Sequence, residues 1–326
     1  MIVTEIYRGS GLGNQIWNLV VSRILAHRHG YEWGVMKTTP FKARKFMPDF
    51  DFGKEVIGGS TPREGQQPVS LPQGIKHYIR EQSIPLPQCG HDGIFFDPGL
   101  WNNLPDNSKI DGLFQCLTYL EGQKNIIRGW LKTNIDVRDY SDDDTCVIHF
   151  RGGEYLITAS WLEPKFYEDA RDRMLEHNPN MKFVVVTDDP ENAKKYIPWA
   201  PIIGASSSDQ IDPLAHLQGS GFYVYKGGPI GIDYSILHNA VHSIITSSTF
   251  AFWPAWTNTK AKNIIAPKYW NDYKRSNGYW RGDDNIVDDW LYIDTTGAIM
   301  NGVDCKEEYR EYRKQHAFYN DKPEVV

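Results

Sequence analysis

The chain has 326 residues, 40% hydrophobic and 13% aromatic, a supply of apolar side chains that excludes wholesale disorder and provides for sizeable cores. A formal net charge of -6 and an isoelectric point near 5.9, with no basic block, exclude an electrostatic nucleic-acid binder. The length favours two domains over one.

Eleven Trp and eighteen Tyr are many for this length; core and domain-interface packing accounts for most of them, and the excess leans mildly towards carbohydrate, because flat aromatic faces make platforms for sugar rings. Cys89, Cys116, Cys146 and Cys305 are scattered without C-x-x-C or close Cys/His spacing, which argues against a zinc site or disulfide framework and for a reducing compartment. The amino terminus, MIVTEIYRGSG, is too short and polar for a signal peptide. With no apolar run approaching about 18 residues, no transmembrane segment is expected. The expectation is a cytoplasmic protein, with peripheral membrane contact left open.

In chain order, residues 2–7 alternate as a first strand and run into RGSGLGNQ. Residues 16–29 then carry Ile16, Leu19, Val20, Ile24 and Leu25 on one helical face, with Gly30 as the stop. Strand, glycine loop and helix predict a Rossmann-like opening, but G-x-G-x-x lacks the third glycine of the dinucleotide fingerprint. Residues 38–110 read as long loops with short elements. Residues 110–117 predict a short strand and 119–131 a helix, and 133–145, with its SDDD run, predicts a linker.

The second half alternates strands and helices: strand 146–150, helix 164–177 with Phe166, Ala170 and Met174 inward, and strand 182–187 (KFVVVT), the clearest buried strand. Pro190 then opens a helix with Glu191 in its first turn. Strand 222–225, helix 234–241, strand 243–246, helix 249–256 and strand 262–266 follow, and the tail after residue 303 predicts a surface helix. The fold class is α/β: two Rossmann-like domains facing a cleft, with parallel sheets covered by helices. The expected division is 1–135 for the acceptor side, 140–300 for nucleotide-sugar binding, and 301–326 as a tail.

The chemistry concentrates at strand ends. In VIHFRGGEY, His149 and Arg151 lie two apart and lean to one face, and the carboxyl ends of parallel strands are where open sheets bind ligands. The guanidinium fork of Arg151 suits a diphosphate, and equally a structural pair with a nearby carboxylate. In SSTF, Ser247, Ser248 and Thr249 leave a strand and open a helix, which places hydroxyls and unpaired backbone N–H groups around an anion, or caps the helix and nothing more. Asp188 and Asp189 fit helix capping, a sugar or ribose anchor, or a metal ligand. No triad, P-loop or G-x-S-x-G occurs.

Six motifs occur in one order: GLGNQ, GLFQCLTYL, HFRGGEY, TDDPENAKKY, SSTFAFWPAW and IIAPKYW. In that order the chain resembles the α-1,2-fucosyltransferases of glycosyltransferase family 11, within the wider α-1,2/α-1,6 and protein O-fucosyltransferase group. The family's H-x-R-R-G-D-Y maps onto His149, Arg151, Gly152, Gly153, Glu154 and Tyr155, so the first arginine is present, the second is replaced by Gly152, and Asp by Glu154. The resemblance implies an inverting, metal-independent enzyme that takes no cofactor beyond its GDP-fucose donor and acts on a glycan acceptor. It places Arg151 and Ser247, Ser248 and Thr249 at the diphosphate, His149 and Asp233 near guanine or ribose, and Asp188 in the donor pocket. Gly13, Asn14 and Gln15 fall where donor and acceptor meet. The family shares no single base; Glu154 is the candidate by position for taking the acceptor proton, with Asn14 or a water as the alternatives. Two other readings stay open: another nucleotide-sugar donor, and a carbohydrate-binding relative without catalysis.

Overall fold

The structure, a computed structural model, describes residues 1–7, 9–36, 40–59, 70–86, 91–135, 142–203, 229–274 and 285–315. The described residues fall into two compact units, one of them within Met1–Lys132 together with Asn285 and the other within Thr133–Arg281 and Ile286–Ala317. The predicted strand at 222–225 and the end of the tail, 316–326, lie outside the described residues.

The first unit contains β1 (Ile2–Glu5), α1 (Leu12–Arg28), β2 (Trp33–Met36), β3 (Lys54–Val56), β4 (His77–Arg80), β5 (Ser83–Leu86), β6 (His91–Ile94), α2 (Pro98–Asn103), β7 (Ser108–Asp111) and α3 (Lys124–Trp130). Five strands form a sheet in the order β3-β2-β1-β7-β4, every neighbouring pair parallel, while β5 and β6 pair antiparallel on their own. Central β1 is buried along its length, as a parallel strand covered on both faces must be. Its polar residues are matched: Thr4 Oγ1 donates to Asn18 Oδ1 at 2.8 Å, and Lys109 Nζ joins Glu5 at 3.1 Å and Asp111 at 3.2 Å.

Helix α1 begins at Leu12, four residues before the predicted start, so Gly13, Asn14 and Gln15 form its first turn instead of a loop. Tertiary partners explain the difference. Asn14 Oδ1 accepts from Gln115 Nε2 at 3.0 Å, and Gln15 Oε1 accepts from the Lys42 backbone N–H at 2.9 Å. The expected stop holds: Gly30 is left-handed, and the Gly30 and Tyr31 N–H groups reach back to the carbonyls of His27 and Ala26.

The second unit contains β8 (Thr145–Phe150), α4 (Pro164–His177), β9 (Lys182–Thr187), α5 (Pro190–Tyr196), α6 (Pro229–Asn239), β10 (His242–Ile244), α7 (Thr249–Thr257), β11 (Asn263–Pro267), β12 (Leu291–Ile293), β13 (Ile299–Asn301) and α8 (Gly302–Gln315). Its sheet runs β13-β12-β11-β10-β8-β9, parallel except for β13. Helix α4 spans the predicted residues and buries Phe166, Tyr167, Ala170 and Met174 against Ile148 and Phe150 of β8. Strand β9 departs from expectation. It stands last in the strand order, with a single parallel bridge from Val185 to Ile202 beyond it, and Lys182 is exposed while Phe183 and Val184 are half-buried. Strands β12 and β13, which sequence patterning did not predict, extend the opposite edge. From β8 the chain turns to β9 on one side, and from β10 it proceeds to β11 and β12 on the other. The strand order therefore reverses between β8 and β10, whose carboxyl ends frame the crevice where such sheets bind ligands.

Candidate active site

His149 is the penultimate residue of β8, and its imidazole Nδ1 lies 2.7 Å from Thr246 Oγ1, just beyond β10, bridging the two strands at the reversal point. The ring is buried, 5.7 Å from that of Phe250 on α7. Burial first, and the neighbouring positive charge of Arg151 second, push its pKa down to about 3, so the imidazole is neutral.

Arg151 follows on the loop. Its guanidinium pairs with Asp188 at the end of β9 and with Glu154 at 2.6 Å, and lies 5.2 Å over the Tyr155 ring. The structural pairing that the sequence left open is thus present, but all three charged side chains keep solvent contact, at 29% for Arg151, 40% for Asp188 and 66% for Glu154. Pairs this exposed are exchangeable. The Glu154 carboxyl is held below the usual range by its own backbone N–H and by Arg151.

Two backbone amides complete the loop contact: Gly152 N–H donates to Asp188 Oδ1 at 3.0 Å and Gly153 N–H to Asp189 Oδ2 at 3.1 Å. Asp189 also caps α5, accepting from the Asn192 N–H at 3.2 Å. The two aspartates therefore divide their work: Asp189 caps, while Asp188 faces the arginine. Among the described residues no group of three or more His, Cys, Asp or Glu is placed to hold a metal ion.

Helix α7 supplies the other wall. Ser247 and Ser248 are buried, Ser248 Oγ caps the helix by accepting from Phe250 N–H at 3.3 Å, and the Ser248 hydroxyl also bonds to Tyr155. Tyr155 thus ties the arginine loop to the start of the helix, where Thr249 is the first residue. Asp233 is buried on α6, beside Tyr234, whose ring meets Phe250 edge-on at 6.1 Å. His149, Arg151, Glu154, Asp188, Ser247, Ser248 and Thr249 consequently gather around the carboxyl ends of β8, β9 and β10. Thr246 and Tyr155 are members that sequence reasoning did not single out. Tyr155 was inside the quoted motif, where nothing in its type or spacing pointed to Arg151 or Ser248.

Gly13 and Asn14 belong to the first unit, in the opening turn of α1. Another residue of the first unit carried no sequence signal. Glu81, just past β4, accepts from the Leu113 N–H at 2.8 Å, and burial pushes its pKa up to about 7 against the pull of the Leu113 and Phe114 amides. Phe114 is buried and left-handed at φ 51°, a conformation rare for an aromatic residue, and Gly112 leaves so little room that a Cβ would come within 2.5 Å of Glu81 Cβ.

Fold and site together define a doubly wound α/β protein with an arginine and a hydroxyl-capped helix linked through Tyr155 at the strand reversal, an arrangement suited to phosphate. The family model of glycosyl transferase family 11 matches residues 118–294, more than half of the chain, and the chain belongs to that family. An α-1,2-colitosyltransferase of Escherichia coli is 26% identical over 175 residues, 50% of this chain and 54% of that enzyme, so the chain spans about half the length of the curated relative it matches. Two solved structures of the α-1,6-fucosyltransferase NodZ, one co-crystallised with GDP and one soaked with GDP-fucose, are 14% and 13% identical. They cover 82% and 92% of this chain and 94% and 98% of theirs, at TM-scores of 0.37 and 0.38. Those scores are too low for a shared fold to be read from them. No helix among the described residues is long and apolar enough to cross a membrane.

Proposed function

We propose that this protein transfers fucose from GDP-fucose to a glycan hydroxyl, the 2-hydroxyl of a galactose, with inversion and without a metal ion. One observation carries the reading: at the strand reversal, Arg151 is linked through Tyr155 to Ser248, the cap of α7. When the glycosidic C–O bond breaks, negative charge builds on the departing diphosphate. The Arg151 fork and the α7 start are preorganised to receive it, each charge-assisted bond contributing roughly 1.5–3 kcal/mol. The acceptor oxygen attacks the anomeric carbon from the opposite face, and its proton passes to a carboxylate. Glu154 is the candidate in this reading. Held by Arg151 it is a weak base, and diphosphate taking over the guanidinium would release it. Incubation with GDP-fucose and a panel of galactosides tests the assignment: a mass gain of one deoxyhexose is expected, and its absence across the panel rejects it.

A second reading changes the donor sugar. Gly152 stands where the resemblance has a second arginine, and the curated relative is named for colitose. Thermal denaturation with GDP, UDP and NAD separates nucleotide classes, because a ligand that binds the native state raises stability by RT ln(1 + [L]/Kd).

A further inference from the structure

The first unit carries a pocket of about 310 Å³ that the donor chemistry does not use. It lies between the carboxyl end of α1 and helices α2 and α3, with His27, Arg28, Trp101, Gln123, Ile126 and Trp130 in its lining. That volume is at the lower end of the roughly 300–1,000 Å³ typical of small-molecule sites.

Its walls are held in place. The Arg28 guanidinium lies 4.2 Å over the Trp101 ring, and its Nε donates to the Trp101 carbonyl at 3.0 Å. Phe96 and Tyr119 brace Trp101 at ring separations of 5.7 and 6.0 Å. Arg23 lies 4.0 Å over Trp130. Cation–π stacking of this kind fixes both indoles before a ligand arrives. The terminal amino groups of Arg28 bond to no described residue, and among the described residues no carboxylate lines the pocket.

The lining therefore mixes two indoles and an exposed isoleucine with a guanidinium, an amide and an imidazole. A hydrocarbon tail would bury those polar groups without partners. A pyranose fits both kinds of surface: its C–H patches rest on indole or aliphatic carbon, and its hydroxyls, each donor and acceptor, meet Arg28, Gln123 and His27. Position matters too. Asn14 and Arg28 are fourteen residues apart on α1, about 20 Å at 1.5 Å per residue, so the pocket is well removed from the glycine-rich turn.

We propose that this pocket is an auxiliary saccharide site, which holds a sugar unit of the acceptor glycan distant from the hydroxyl that reacts. The word acceptor rests on the transfer reading above; the binding of saccharide does not. Two experiments keep them apart. In the first, lacto-N-tetraose and lactose are titrated without donor into the 326-residue protein, into Arg28→Ala, which also removes the stacking on Trp101, and into Gln123→Ala, which leaves the aromatic packing intact. Each substitution is expected to weaken tetrasaccharide binding about tenfold, some 1.4 kcal/mol. Unchanged affinity in both variants, or no tetrasaccharide binding to the unaltered protein, overturns the proposal. In the second, transfer kinetics are compared with the same two acceptors. KM for the tetrasaccharide should rise while kcat, and KM for lactose, stay put. Equal losses for both acceptors overturn the auxiliary role. Failure of the unaltered protein to transfer to either sugar rejects the transfer reading alone, and the titrations still decide the pocket.

Discussion

Gly152 and Asp189 compete for one space: a Cβ added to Gly152 would overlap Cβ, Cγ and Oδ2 of Asp189. The loop after β9 sits where a side chain at 152 would begin, which gives a local reason for the missing second arginine. Gly152→Arg is therefore expected to disrupt the loop contact instead of restoring a familiar motif. Gly152→Ala should destabilise by about 1–3 kcal/mol, the usual penalty of overpacking. Adding Asp189→Gly should recover part of that loss despite the lost helix cap. A double-mutant cycle by thermal denaturation reads the coupling, and simple additivity would show that the two positions are independent.

Arg151→Lys should lose most transfer activity while the fold survives, because an ammonium cannot offer two parallel donors to a diphosphate. The exposed ion pairs at this position contribute no more than about 1 kcal/mol, so the melting temperature should barely move. Rates equal to those of the unaltered protein would remove Arg151 from the chemistry.

Glu154→Gln separates two roles. As the proton acceptor, the carboxylate is worth about 10²–10⁴ in kcat, and that loss is the expected outcome. If kcat holds while the KM for donor falls, Glu154 only restrains Arg151.

Two buried groups give the stability a pH dependence of opposite sign. His149 has its pKa pushed from 6.5 to about 3, so the unfolded chain binds the extra proton over that range and stability falls as pH drops below about 6.5. His149→Phe should flatten that acid limb, whose slope approaches about 1.4 kcal/mol per pH unit. An unchanged limb in denaturant titrations from pH 6.5 to 4 would show that the imidazole is protonated in the fold.

Glu81 works the other way. Its pKa is pushed up to about 7 from 4.5, so the folded state holds the proton more tightly, and the contribution present below 4.5 is lost as pH rises through 7. Glu81→Gln should remove that loss and stabilise the protein at pH 8 relative to pH 5, by on the order of 2 kcal/mol. Equal pH profiles for the two proteins would contradict a buried, protonated Glu81.

Periodicity made much of the second unit legible. Helix α4 was bounded by Pro164 and read from Phe166, Ala170 and Met174, and β9 stood out as KFVVVT. The burial of β9 was not legible, since an edge and a centre strand can share one composition and only pairing tells them apart. The start of α1 was hidden because Gly13 and Asn14 are poor helix formers; Gln115 holds Asn14, and the Lys42 amide holds Gln15 beside it. The site behaved similarly. Arg151 and the serines announced themselves by type and by place at strand ends. The His149–Thr246 bond joins residues 97 apart in sequence and exists only because β8 and β10 are neighbours in register. Glu81 left no trace, since its raised pKa comes from burial, and to a lesser degree from Asp97, against the pull of two backbone amides, all of it set by folding.

The pairing of Arg151 with Asp188 and Glu154 has a consequence for turnover. Any phosphate that reaches the guanidinium meets oxygens already in place, so its affinity is the difference between two sets of anionic partners. The same carboxylates stand ready to close again when the phosphate departs. They act as a resident competitor, covalently tethered and never diluted, that weakens the hold on any bound phosphate. Neutralising either carboxylate should thus lengthen the stay of GDP, and a site that binds its product better would cycle more slowly.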